Sequence, residues 1–244
     1  MERIRIDRYL VERGLAPSRE RAQALILAGG VRVNGKVVDK AGSLVPADAA
    51  IAVAAADHPY VGRGGVKLAH ALDHFRVDVT DRIALDAGAS TGGFTDCLLQ
   101  RGAARVYAVD VGRGQLAWSL RQDPRVVIMD RTNLRLVHAA ALPEAMDLVT
   151  LDLAFISVTK VFAAVDAVLK TGGAAIILIK PQFEVGKDKV GKGGIVRDPA
   201  LRDAAVAAVH AAAAAVGWQW VGVTPSPITG ADGNQEFLAY CRKS

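Results

Sequence analysis

Leu85-Asp86-Ala87-Gly88-Ala89-Ser90-Thr91-Gly92-Gly93-Phe94 is the stretch on which the fold turns. The apolar run Ile83–Leu85 reads as a strand, and a helical pattern begins at Gly93 and runs to Arg101. Glycines between a strand and a helix let the backbone approach a ligand beneath the helix N-terminus. The spacing is Gly-x-x-x-Gly-Gly, unlike the Gly-x-Gly-x-x-Gly of dinucleotide sites, and an acid precedes it. A carboxylate at Asp86 disfavours an anionic pyrophosphate and favours a cationic ligand with an amino-acid tail.

Outward from this turn, strand and helix alternate. Further strands are expected at Val106–Val109, Val126–Met129, Leu148–Leu151 and Ala174–Ile179, with helices at 118–122 and 158–169. Such alternation predicts an α/β fold with a mainly parallel sheet covered on both faces. A helix over 199–216 and strands at 218–223 and 235–241 complete it, the last two expected to pair as an antiparallel edge. Asp110 ends the second strand, where it can bind a ribose diol, and Asp130 ends the third, where it can accept from an adenine amino group. Ligands bind at the carboxyl ends of such strands. Asp86, Gly88, Ser90, Thr91, Gly92, Gly93, Phe94, Asp110 and Asp130 are therefore the expected cofactor residues, and S-adenosyl-L-methionine fits them better than NAD.

Residues 1–57 form a separate small module, with 58–62 as a linker and 63–244 as the second domain. Asp7 is expected to cap a first helix ending at Gly14, and Ser18 a second one stopped by Gly29-Gly30. Asn34-Gly35 between alternating apolar residues predicts a hairpin, and a strand near 50–53 closes the module. The module holds nine basic residues against seven acids, so position matters more than net charge. Arg19, Arg21, Arg32 and Lys36 flank the second helix and the hairpin and can form one basic face, extended by Arg3, Arg5 and Arg8. Tyr9 is its single aromatic residue, so recognition should favour phosphates and RNA shape over stacked bases.

The whole chain has 244 residues, 51% of them hydrophobic, and a net charge of +5, which allows an acidic partner. No apolar stretch reaches the roughly 18 residues needed to cross a bilayer. Met1-Glu2-Arg3-Ile4-Arg5 does not read as a signal peptide, so a cytoplasmic location is expected. Cys97 and Cys241 stand far apart outside any Cys-x-x-Cys pair and are expected in the core, with no metal site.

Seven ordered stretches carry a resemblance: Arg63-Gly64-Gly65-Val66-Lys67-Leu68, 86–94, Asp130-Arg131-Thr132-Asn133, 152–157, Ile179-Lys180-Pro181-Gln182-Phe183-Glu184, 192–198 and Gly233-Asn234-Gln235-Glu236-Phe237-Leu238. On them the chain resembles, end to end, the TlyA (haemolysin A) family of ribosomal RNA 2′-O-methyltransferases. Its core is similar to the FtsJ/RrmJ methyltransferases, and its first module resembles the S4-type RNA-binding domain. Gly62 and Ala154 stand where the family pattern has serine. The resemblance implies a Rossmann-like class I sheet of seven strands, methylation of a cytidine ribose in ribosomal RNA or ribosomal subunits, and a catalytic tetrad at Lys67, Asp152, Lys180 and Glu236.

The chemistry suits those residue types. A ribose 2′-hydroxyl is a very weak acid and must be aligned and relieved of its proton. Lys180, just after the fifth strand, is the expected activating lysine and Asp152 its holder; Lys67 and Glu236 read as a supporting ion pair. Two lysines and two carboxylates make a neutral cluster, less costly to bury than any one charge. Arg63 and the loop Gly186–Gly194, with Lys187, Lys189 and Lys192, are expected to hold RNA, the loop as a basic flap.

Other functions fit less well. Base amino-group methylation wants Asn/Asp-Pro-Pro-aromatic where this chain has Asp152-Leu153-Ala154-Phe155, and pyrimidine carbon methylation wants a cysteine in the site. A membrane-active haemolysin lacks a spanning segment to act with, and a silent RNA-binding assembly factor has no need of the tetrad.

Overall fold

The computed structural model describes residues 3–16, 18–27, 29–53, 58–138, 142–230 and 232–244, without the side chains of residues 20, 21, 24 and 27. The chain divides into two compact units, Met1–Gly62 and Arg63–Ser244. Residues 54–57, the expected end of the first module, lie outside the described residues.

In the small unit β1 (Arg3–Arg5) runs straight into α1 (Ile6–Glu12), followed by α2 (Arg19–Leu27). Then come β2 (Val31–Val33), β3 (Lys36–Val37), β4 (Leu44–Pro46) and β5 (Ile51–Val53). β1 pairs with β4, and β2 lies between β3 and β5, all antiparallel. The Asn34-Gly35 turn has both residues at positive φ, +49° and +80°, as the primed hairpin turn demands. Ile6, Leu10, Ala22, Ile26 and Val31 form the fully buried centre of its core.

Asp7 does not cap α1. The helix follows β1 without a loop, so Arg5 takes the cap position, and Asp7 falls in the first turn, fully buried. There its carboxylate accepts from Arg5 Nη2 (2.9 Å), Arg19 Nε (3.0 Å) and Gln23 Nε2 (3.1 Å). The hydrogen bond from Arg5, above all, holds this carboxyl well below the usual carboxylate range. A group with a depressed folded pKa stabilises above its unfolded value and loses that contribution as pH falls. Asp7→Ala should destabilise the small unit by roughly 2 kcal/mol at neutral pH. The penalty should shrink below about pH 4, as read by urea denaturation of the full chain followed by hydrogen exchange.

The large unit opens with α3 (Gly64–Phe75), β6 (Ile83–Ala87), α4 (Gly93–Gln100), β7 (Arg105–Val109), α5 (Trp118–Arg121) and β8 (Val126–Met129). It continues with β9 (Met146–Leu151), α6 (Phe162–Val168), β10 (Leu169–Ile179), α7 (Pro181–Glu184), α8 (Pro199–Ala215), β11 (Trp218–Pro225) and β12 (Phe237–Lys243). The expected seven-stranded sheet forms in the order β11-β12-β10-β9-β6-β7-β8. Its central strands are apolar on both faces, as helix-covered parallel strands must be, with Ala175–Ile179 of β10 fully buried.

β11 and β12 pair antiparallel and form one edge of the sheet, as expected. β12 lies between β10 and β11 and is antiparallel to each, so its first residues arrive beside the last residues of β10. The single helix expected over 158–169 is a 3-10 turn (Val158–Val161) leading into α6, and Leu169 already pairs with Met146.

Candidate active site

Strand register assembles the charged residues. β9 and β10 are parallel with Ile177 opposite Leu151, so the residues leaving their carboxyl ends, Asp152 and Lys180, emerge side by side. β10 and β12 are antiparallel with Ile179 opposite Phe237, which sets Glu236 beside Lys180 along the backbone. Lys180 Nζ lies 2.6 Å from Asp152 Oδ1, and Lys67 Nζ of α3 hydrogen-bonds Glu236 Oε2 in a deeply buried pair. The four residues thus form two ion pairs at one end of the sheet. Asp152 Oδ1 is buried and, despite the approach of Lys180, receives no hydrogen bond of good geometry from the described residues.

The glycine turn lies against the same aspartate. Gly88 has a φ of +87°, and a Cβ there would collide with the backbone oxygen of Asp152. Only glycine lets the loop pass so close. Gly92, also at positive φ, faces Leu116 and Leu120, so its requirement is packing and not a ligand. Phe94 is buried and touches the position where a Cβ of Gly64 would stand.

A cavity of about 450 Å³ opens between Gly88, Ser90, Asp110, Asn133, Asp152 and Phe155. A smaller one of about 190 Å³ adjoins Gly64, Thr91, Gly93 and Phe94 and shares Gly88, Ser90 and Asp152 with the first. Asp110 is oriented by the amides of Ser90 (2.8 Å to Oδ2) and Gly112 (2.7 Å to Oδ1).

Asp86 and Asp130 stand elsewhere than expected. Asp130 accepts from the Gly114 amide at 2.9 Å and lines neither cavity; the residues after it, Thr132 and Asn133, do. Asp86 lies fully buried beneath the glycine turn, accepting from Thr95 Oγ1 (2.6 Å) and Thr150 Oγ1 (3.2 Å), and it too lines neither cavity. The first turn of α4 covers it. Burial, opposed by the Thr95 hydrogen bond and reinforced by the charge of Asp152, pushes its carboxyl up to about 7.

Two residues given no role from sequence complete the site. Phe155 is 93% exposed, has a left-handed φ of +64°, and lines the larger cavity with its ring 5.5 Å from that of Phe183. A bulky residue at positive φ is uncommon and marks a functional position more often than a packing one. The sequence signal was the aromatic residue three places after Asp152, where amino-group methyltransferases also carry one. Glu184 accepts from Ser157 Oγ (2.5 Å) and the Val158 amide (3.0 Å), clamping the loop after β9 to α7. Burial raises its pKa.

The basic residues expected to meet RNA divide into engaged and free. Arg5 and Arg19 hold Asp7, Arg8 pairs with Glu12 at 2.8 Å, and Arg63 donates to the carbonyl of Thr229 at 2.8 Å. Arg3, Lys36, Lys187, Lys189 and Lys192 are exposed and have no ion-pair partner among the described residues, and Arg32 donates only to the Gly35 carbonyl. The side chain of Arg21 lies outside the described residues. Cys97 and Cys241 are fully buried core residues.

One antiparallel strand inserted next to the edge of an otherwise parallel sheet, with a glycine turn and an aspartate, Asp110, at the carboxyl ends of its strands, defines the methyltransferase class of α/β proteins. Residues 60–243 match the FtsJ-like methyltransferase model and residues 4–51 the S4 domain model. The 16S/23S rRNA (cytidine-2'-O)-methyltransferase TlyA of Mycobacterium tuberculosis is 48% identical over 98% of this chain and 90% of its own length. The protein named Hemolysin A of Brachyspira hyodysenteriae is 42% identical over 97% of this chain and 99% of its own length. A solved structure of a hemolysin-named protein from Streptococcus thermophilus superposes with a TM-score of 0.79 at 40% identity, covering 100% of this chain and 90% of that one. The chain therefore belongs to the TlyA family of FtsJ-like methyltransferases. Among the described residues no helix is long and apolar enough to cross a membrane.

Asp86 generates a test by its titration. Its folded pKa, about 7, exceeds the ordinary 3.8, so the folded state keeps a proton that the unfolded state releases between those values. That contribution is complete below about pH 4 and is lost as pH rises to about 7. Thermal unfolding should show the unaltered protein losing stability across this window relative to Asp86→Asn. Parallel pH profiles for the two would refute the assignment.

Proposed function

We propose that the protein transfers a methyl group from S-adenosyl-L-methionine to the 2′-hydroxyl of a cytidine in ribosomal RNA, in the cytoplasm. The observation that carries this reading is the Lys180–Asp152 ion pair, whose aspartate lines both cavities. The names of the curated relatives supply the cytidine and the ribosome.

The residues fit the methyl donor. A cavity of about 450 Å³ is of the size that small-molecule sites have. Asp110 would hold the ribose diol, residues 132–135 the adenine, and the turn from Gly88 to Thr91 the amino-acid tail. When bound, the sulfonium supplies an electrophilic methyl group and a good leaving group.

The chain's own residues must then align the hydroxyl and remove its proton. Asp152 Oδ1 accepts a hydrogen bond from the 2′-hydroxyl and fixes its direction. The amine form of Lys180 takes up the hydroxyl proton at Nζ, and Asp152 holds the ammonium so formed. Lys67 and Glu236 neutralise each other next to Lys180 and keep α3 and the start of β12 in place. Phe155 offers an aromatic face beside the reacting pair on which the target base can stack. The exposed bases of the S4 unit, Arg3, Arg32 and Lys36 among them, bind RNA phosphates.

Purified protein should move labelled methyl from the donor to ribosomal subunits lacking the modification, and nuclease digestion should release 2′-O-methylcytidine. Label on a base would overturn the chemistry, and undiminished transfer by Lys180→Ala the residue assignment. Phe155→Ala should lower kcat/KM for RNA by about tenfold or more, the scale of one lost base stack. Isothermal titration should show a smaller loss in donor affinity.

A further inference from the structure

The basic flap, residues 186–194, leans mainly on itself. The Lys189 amide donates to Gly186 O at 3.2 Å and that of Gly194 to Gly191 O at 3.1 Å, and its three lysines point into solvent. Its first stem is α7, clamped by Glu184 to the loop that follows Asp152. Its second stem is held by a buried side chain, Asn234, which is 1% exposed. Asn234 Oδ1 accepts from the Val196 amide at 2.9 Å, and Nδ2 donates to the Gly194 carbonyl at 2.8 Å. The asparagine spends its amide on both sides of the flap exit, and two residues later Glu236 holds Lys67. Each end of the flap is thus fastened to a loop carrying one member of the charged constellation.

We propose that Asn234 is a positioning residue that holds the lysine flap at a set place over the site, so that RNA phosphates gathered by Lys187, Lys189 and Lys192 bring the target ribose to Lys180. This rests on the functional reading above. Two features make the tie specific to the flap. Val196 is independently buried, and its carbonyl accepts from Arg202 Nε at 2.9 Å, so the start of α8 stays anchored without Asn234. Between Gly186 and Gly194 no side chain is buried, and the one other side chain tied to the flap, Arg197, reaches the Lys192 carbonyl only at 3.4 Å and from the exposed surface.

A double-mutant cycle tests this. Asn234→Ala is measured alone and combined with Lys187→Gln/Lys189→Gln/Lys192→Gln, using unmethylated ribosomal subunits. Asn234→Ala alone should raise KM for subunits by about tenfold with kcat and donor affinity within about twofold, and should add nothing to the lysine triple variant. Asn234→Asp has the same shape and keeps the acceptor for Val196 but sets an oxygen against the Gly194 carbonyl; it should behave like Asn234→Ala, which covers the case in which the alanine variant fails to fold. Additive effects, or a fall in kcat at unchanged KM, would overturn the proposal. Subunit binding without the donor is measured in parallel. Failure of the unaltered protein to transfer methyl overturns the functional reading, whereas additive losses in binding overturn this one.

Discussion

Ionised groups at the end of a buried parallel sheet need partners within a few ångströms, and this requirement governs the large unit. β10 brings Lys180 out of a fully apolar strand, and Asp152 of β9 meets it at 2.6 Å. β12 enters antiparallel beside β10, so Glu236 arrives at the same end, where Lys67 of α3 answers it. Removing one partner of such a pair leaves an uncompensated buried charge, which is far costlier than losing the pair altogether. The insertion of β12 is thus what gives the site its fourth charge.

Asp86 shows the other solution to the same problem. Among the described residues no cation pairs with it; two threonine hydroxyls serve it, and burial drives its carboxyl toward the neutral form. The position suggested a ligand contact, yet the residue works as a support under the glycine turn. Asp7 in the small unit follows the opposite course, buried but ringed by two arginines and a glutamine, and stays charged. Three buried carboxyl environments in one chain, those of Asp7, Asp86 and Glu236, differ by their nearest donors and hardly by their depth.

Much of the fold was legible in the linear pattern. Short apolar runs located each strand of the large sheet, and Asn34-Gly35 located the hairpin, because both signals are local. What was misread was non-local: Leu169 pairs with Met146 instead of ending a helix. β1 and β4 escaped notice because they pair with each other across the whole module, Arg3 opposite Pro46, so no local turn signal marks the pair.

The candidate site divides along the same line. The sequence by itself determined the kinds of residue present at the strand ends, the glycine turn and the two-unit order, since these follow from spacing and residue type. The pairs Lys180–Asp152 and Lys67–Glu236 were expected and are present, but only the tertiary structure fixed their geometry and decided that Asp86 is hidden and that Asn234 grips the flap. Pairing depends on strand register and on which helix covers which face. Those are set by how residues more than a hundred positions apart pack against one another, as Lys67 and Glu236 do.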